Sequence, residues 1–408
     1  MKEFFNVETI EGVLSHVQSF SAVDTETVPL AECLGRVLAE DIYSDVDIPD
    51  FNRSTMDGFA VKASSTFGAS EANPAYLNVR GQIRMGVRPD VSIGPGEAAR
   101  IATGGMLPDG ADSIIMVEHT DKLDDTTIEA YRSVAPGQHV IEKGEDIRHT
   151  QPALTRNTRV RPQEAGLLAA CGRTEIPVFR RPLVGIISTG DEVVPVDRVP
   201  GQGQIRDINT QTLSGQVLAA GGVPMVFGIV KDNRDDLMEK CRIALERTDM
   251  VMISGGSSVG ARDFTVEVLD ALPDTEILVH GISISPGKPT ILARSGGKAF
   301  WGLPGHAVSA MVVFAVVVRP FLDRLCGLSQ TVRQFPVQAV LSRNLASAQG
   351  RVDYVRVRLV AADGHNIAEP ILGKSGLINT MVKADGLIAI GMNTEGLDQG
   401  AIVQVTPL

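Results

Sequence analysis

Polar and apolar positions change rhythm several times along the chain. Between about residues 7 and 40 the apolar positions recur at helical spacing, in VETIEGVLSHV and again in VPLAECLGRVLAE, which predicts helices there. A loop, VDIPDFNRSTMDG, follows. From about Phe59 to Val140 short β-like runs (YLNVRGQI, AARIAT, SIIMVE, TIEAYRSV) are punctuated by GPG, PDG and APG, the pattern of a small all-β module. RPQEAGLLAACGRTEIPVF then returns to a helical pattern, with Pro early and Gly late. The sequence thus predicts one helical domain interrupted by the β module.

From Arg181 continuous apolar runs alternate with amphipathic ones: PLVGIIS, NTQTLSGQVLAAGG, PMVFGIV, RDDLMEKCRIALERT, DMVMIS. Strands of this kind between helices predict βαβ units and a parallel sheet covered on both faces. The series continues through EILVHGISI, TILARSG and AFWGLPG to the apolar run AVSAMVVFAVVV. That run is too short for a membrane span, which needs roughly 20 residues, so it is expected to be a buried helix. After DRLCG, period-two runs such as PVQAVLSRNL, DYVRVRLV and AIVQVTPL predict a compact β domain. The expected organisation is α/β and multi-domain: a discontinuous helical domain (1–44 and 141–177), an inserted β module (45–140), a doubly wound α/β domain (178–327) and a C-terminal β domain (328–408).

Composition narrows the function. A length of 408 residues exceeds one ordinary core. The formal charge of −11, with no Lys/Arg-rich block, argues against nucleic acid as a partner. Cys33, Cys171, Cys241 and Cys326 are widely spaced without a C-x-x-C pattern, which fits reduced structural thiols. MKEFFNVETIEG has no long apolar core or cleavage site, so a cytoplasmic location is expected.

In parallel α/β sheets ligands bind beyond the carboxyl ends of the strands, and three loops there have unusual content. SGGSSVGARD carries Ser254, Gly255, Gly256, Ser257, Gly260 and Asp263. Its backbone N–H groups, hydroxyls and following helix suit a phosphate, although a tight turn without ligand explains the glycines as well. It matches neither the Walker nor the dinucleotide pattern. STGDE places Asp191 and Glu192 after a buried strand, with Ser188 and Gly190 beside them. Adjacent carboxylates suit Mg2+, and a solvated loop acid is the competing reading. GLPGH holds Pro304 and Gly305. In SPGKP two prolines stiffen the flanks of Lys288, as an anion-binding lysine requires; an exposed turn lysine is the alternative. Asp57 in STMDGFAV and Asp146 in GEDIR stand at the two ends of the inserted module, which brings acids toward a shared hinge.

STMDGFAV, RIATGGMLPDGADSIIMVE, GEDIR, STGDE, ISGGSSVGARD, SPGKP and GLPG occur in the order found in the molybdopterin molybdenumtransferase family, which this chain resembles over essentially its whole length. That family is similar to the C-terminal domain of gephyrin. The resemblance implies insertion of molybdate into adenylylated molybdopterin with Mg2+-dependent release of AMP, in a homodimer whose cleft is shared between subunits. It also implies contact with the adenylyltransferase and with apo-molybdoenzymes. Carried over by position, it implies roles for Asp57, Asp146, Glu192, Asp232 and Lys288 in catalysis, for Asp191 and Glu192 at the metal, and for Thr103, Asp263, Arg351 and Ser375 at the substrate.

The chain departs from the family where Ser285 replaces a common lysine, where GLPGHAVS puts His306 and Ala307 in place of Asn and Pro, and where EKG leaves Lys143 as the basic residue before GED. These changes lower the positive charge expected near an oxyanion and leave molybdate against tungstate open. The competing readings are a molybdopterin adenylyltransferase, which does not need the additional domains, and a non-catalytic scaffold of the same fold, which does not need acids in a cleft.

Overall fold

A computed structural model of the chain describes residues 7–255, 261–329, 335–362 and 364–408, with the backbone alone at 261–263. The first helix, Ile10–Ser15, is capped by the Thr9 hydroxyl, which accepts from the Gly12 N–H at 3.1 Å. Its Ile10 and Val13 join Phe20 in the core of the α/β region.

The helical expectation over Val28–Glu40 is corrected. Thr25–Pro29 is a strand paired antiparallel with Glu175–Phe179, and only Leu30–Glu32 turns as a short 3-10 helix. Pro29 lacks the N–H that a helix interior needs, and Gly35 takes φ +75°, so the periodic apolar positions are spent on a strand-and-turn core. Val28, Cys33, Leu38 and Ile42 pack there with Val160, Leu168, Ile176 and Val178 from beyond the β module. In the run expected to be helical from Arg161 to Phe179, only Pro162–Ala170, with Pro at its first turn, forms a helix, and Glu175–Phe179 is the partner strand of Thr25–Pro29. Between these halves lies a six-stranded sheet, in the order 113–116, 58–61, 97–101, 75–82, 127–130, 120–122.

The central sheet contains β1 (Leu183–Thr189), β2 (Val223–Val230), β3 (Met250–Ser254), β4 (Thr275–His280), β5 (Ile291–Ser295) and β6 (Lys298–Leu303), in the spatial order β2-β1-β3-β6-β5-β4. Helices α1 (Asn209–Ala220), α2 (Arg234–Arg247), α3 (Ala261–Ala271) and α4 (Ala307–Val313) accompany it. β2, β1, β3 and β6 are parallel, but β5 and β6 form an antiparallel hairpin, and β4 joins antiparallel to β5. The parallel expectation therefore stops at that edge. Gly296 and Gly297, at φ +53° and +80°, make the two-residue turn that reverses the chain.

The apolar run from Ala307 is a buried helix as expected. It continues from α4 through a π-helical stretch, Phe314–Val318, into Arg319–Leu325. Trp301, fully buried, stacks edge-on against Phe321 at 5.0 Å, and Phe20 meets the same ring at 5.5 Å. Among the described residues no helix is long and apolar enough to cross a membrane.

The C-terminal strands close into a ring. Val352–Ala362 pairs with His365–Pro370, that strand with Val337–Leu341, that with Ile402–Pro407 and that with Gly386–Ile390, which returns to Val352–Ala362. Ile284–Ser285 of the α/β region adds a parallel pair to the start of Val352–Ala362. All four cysteines are buried and free.

Candidate active site

The carboxyl ends of the parallel strands open into a cavity of about 290 Å3. Ser188 and Thr189 line it from the end of β1, Gly190 and Glu192 from the loop after it, Asp232 from the loop after β2, and Ser254 and Gly255 from the end of β3. Gly305 and His306 enter after β6, Asp207 and Asn209 from the start of α1, and Gly376 from the C-terminal ring. Parallel neighbours end side by side, so loops distant in sequence converge at one end of the sheet.

Of the residues expected at the site, Ser188, Gly190, Glu192, Asp232, Ser254, Gly255 and Gly305 meet here. Pro304 is buried next to Gly305 without lining the cavity. Asp191 stands behind the wall: its carboxylate accepts from the Asp232 N–H at 3.3 Å, and its carbonyl from Lys231 Nζ at 2.7 Å. Although Asp232 is exposed as a residue, partial desolvation of its carboxyl and the negative charges of Asp191 and Glu192 raise its pKa, with Lys231 opposing them. Gly256, Ser257 and Gly260 lie outside the described residues, as does the side chain of Asp263.

Ser375 reaches the rim through His306, its Oγ 2.9 Å from Nδ1. Lys288 and Arg351 flank the junction of Ile284–Ser285 with the C-terminal ring and do not line the cavity. Arg351 Nε lies 2.9 Å from Asp353 Oδ1, and the Lys288 carbonyl accepts from the Ile282 N–H at 2.9 Å. Asp57, Thr103 and Asp146 also stand outside it. Asp57 Oδ1 accepts from the Thr103 N–H at 2.7 Å and from the Thr103 hydroxyl at 2.9 Å, and these bonds, the backbone one first, hold its pKa below the ordinary value. The Asp146 N–H donates to the Ile48 carbonyl at 3.0 Å where the chain leaves the β module.

The sequence reading passed over Thr189, Asp207, Asn209 and Gly376, and noted His306 only as a departure. Asp207 carried a local signal, an acid three residues ahead of the N–H it caps: its Oδ1 accepts from the Thr210 N–H at 3.0 Å. Gly376 had none, because only the tertiary fold brings it to the α/β region.

The region spanning residues 7–172 matches the MoeA N-terminal region (domain I and II), 185–324 a probable molybdopterin binding domain, and 338–408 the MoeA C-terminal region (domain IV). The chain is 32% identical over 386 residues to the molybdopterin molybdenumtransferase of Bacillus subtilis, covering 94% of this chain and 89% of that protein. It is 36% identical over 387 residues to a putative molybdopterin biosynthesis protein of Methanocaldococcus jannaschii, covering 93% and 91%. Its fold is similar to that of a molybdopterin biosynthesis moeA protein from Pyrococcus horikoshii OT3, with a TM-score of 0.86, 30% identity, and coverage of 99% of this chain and 100% of that one. With the MoeA regions in this order around a molybdopterin-binding domain, the chain belongs to the molybdopterin molybdenumtransferase family, the enzymes of molybdenum cofactor biosynthesis.

Proposed function

We propose that this protein inserts molybdate into adenylylated molybdopterin and releases AMP. The observation that carries this reading is the composition of the cavity, which brings Glu192 and Asp232 together with Ser188, Ser254 and the glycine-bearing strand ends. A substrate with a pyrophosphate needs hydroxyl and N–H donors for its oxygens and charge stabilisation at the phosphoryl group that leaves. The pterin end fits the region that matches a molybdopterin binding domain.

Glu192 and Asp232 at the cavity offer hard oxygen donors, with the Asp191 carboxylate behind them, and the like charges that raise the Asp232 pKa would be relieved by a divalent cation. The donor chemistry therefore fits Mg2+. Among the described residues no group of three or more His, Cys, Asp or Glu forms a ready-made metal cage, so substrate oxygens and water would complete the shell. When bound, the ion would stabilise negative charge on the leaving phosphate. Lys288 and Arg351 supply cationic side chains near the junction with the C-terminal ring, where an oxyanion would be received.

Asp57, Thr103 and Asp146 do not line the cavity of their own chain, which supports a homodimer in which they serve the cleft of a second copy. Sedimentation at micromolar concentration should then give a dimer, and a monomer alone would remove these residues from the site. Buried free thiols fit a reducing compartment, the cytoplasm. The test of the reaction is incubation with adenylylated molybdopterin, Mg2+ and either molybdate or tungstate, following AMP release and cofactor formation. Faster turnover with tungstate would change the oxyanion; no AMP release with either would overturn the assignment.

A further inference from the structure

Side-chain bonds from one short segment, Arg206–Thr210, or RDINT, reach the ends of β1 and β3 and the loop after β6 at the cavity. Asn209, the first residue of α1 and 7% exposed, donates from Nδ2 to Ser254 Oγ at 2.5 Å and to the Gly305 carbonyl at 2.8 Å. The Thr210 hydroxyl donates to Asp207 Oδ2 at 2.6 Å and stands 3.2 Å from Ser188 Oγ. Because the Thr210 proton is committed to the carboxylate, Ser188 is the donor in that contact. A single helix start thus ties together the ends of β1 and β3 and the loop after β6.

We infer that Asn209 is a positioning residue of the cavity, whose amide fixes the end of β3 against the loop after β6 so that both meet the substrate in one geometry. This rests on the reading that the cavity takes the pterin substrate. The orientation of the amide is not arbitrary. A carbonyl oxygen only accepts, so the nitrogen side must face Gly305, and Oδ1 lies on the other side. Oδ1 is buried and has no partner among the described residues. An unmet buried acceptor costs stability, so stability alone is a poor reason for an amide at this position. Its two donors account for it: the ladder between the two strands stops at Ser254 and Leu303, and beyond it a Gly255 N–H to Leu303 carbonyl bond of 3.4 Å is a long one, whereas the amide holds both Ser254 and Gly305 at 2.8 Å or less. Binding sites gain affinity and rate when such loops are held before the ligand arrives.

The experiment compares Asn209→Ala, Asn209→Asp, Ser254→Ala and the Asn209→Ala/Ser254→Ala pair in the full chain. It reads hydrogen exchange over residues 250–255 and 302–307, affinity for molybdopterin, steady-state kcat and KM, and the thermal midpoint. Asn209→Ala should raise exchange in both segments and weaken molybdopterin binding by about tenfold, with a larger change in KM than in kcat. Adding Ser254→Ala should cost less than about twofold more, because the bond it removes is already gone. Asn209→Asp keeps the size but loses both donors, so it should fail as the alanine does. Ser254→Ala, which leaves the bond to Gly305 intact, should raise exchange in 250–255 alone and serves if the Asn209 variants do not fold.

Unchanged exchange in both segments would overturn the inference. So would a lowered midpoint accompanied by wild-type affinity, or an aspartate that restores binding. If the wild-type protein does not bind molybdopterin while exchange still rises in Asn209→Ala, the clamp stands and the pterin reading falls.

Discussion

Glu192 and Asp232 face one cavity from the loops after neighbouring strands, and their like charges meet there. A carboxyl whose pKa is raised on folding stabilises the native state while it is protonated, and that contribution is lost as pH climbs from the ordinary value of 3.8 through the raised one. At neutral pH ionised Asp232 therefore works against the fold. Asp232→Asn should raise the thermal midpoint of the ligand-free protein at pH 7, and the advantage should shrink as pH falls toward 4, while turnover drops. A variant less stable than the parent at pH 7 would show that the charge conflict is not what the fold feels. Glu192→Gln should leave substrate binding near normal and slow AMP release by about 100-fold or more, because the lost charge acts mainly on the transition state; unchanged kcat at saturating Mg2+ would remove Glu192 from the chemistry. Glu192 stood out in the sequence because STGDE directly follows a buried apolar run, whereas Asp232 was pointed to only by the family resemblance. Asn209 was not legible, because its role depends on Ser254 and Gly305, which reach it only when three strands end together.

The strand-to-loop transition at the end of β3 shows what local sequence can and cannot tell. ISGGSSVG reads as a segment that needs glycine, and at Gly255 the reason is visible: φ is +126°, and a Cβ there would lie 2.2 Å from the Thr189 carbonyl oxygen. Gly255→Ala should therefore destabilise the fold by about 1–3 kcal/mol and, by pushing the loop after β1 away from that after β3, weaken substrate binding in the protein that remains folded. Denaturant titration and direct binding separate the two effects; normal affinity in the folded variant would make this glycine a connector only. Gly256, where the same requirement is expected, lies outside the described residues. Elsewhere local pattern misled. VPLAECLGRVLAE has helical spacing, but Pro29 and Gly35 break it, and the partner strand that claims Thr25–Pro29 lies at Glu175–Phe179, beyond the reach of any short window. The hairpin between β5 and β6 was signalled by its Gly-Gly pair and was read instead as a continuation of the strand-helix series.

Alternation of rhythms along the chain revealed the kinds of layer present, but not that a loop of the C-terminal ring would help wall a cavity of the α/β region. Two levels of contact hold that loop. Ile284–Ser285 pairs with Val352 and Asp353, which docks the ring, and the Val308 N–H donates to the Ser375 carbonyl at 3.2 Å. Arg356, 8% exposed, donates from Nη2 to the Gly373 carbonyl at 2.8 Å and steadies the turn that leads to Ser375. The Ser375 hydroxyl adds only the contact with His306 Nδ1, at the cavity rim. Ser375→Ala removes that contact and leaves the backbone bond and the strand pair in place. The thermal midpoint and the scattering profile of the full-length protein should therefore stay close to those of the parent, since a single exposed side-chain bond contributes on the order of 1 kcal/mol. KM for the pterin substrate should nevertheless rise several-fold, because His306 loses the partner that fixes its ring at the mouth of the site. An unchanged KM would mean that the backbone bond and the strand pair alone set this wall, and that the His306 ring does not depend on Ser375 for its position.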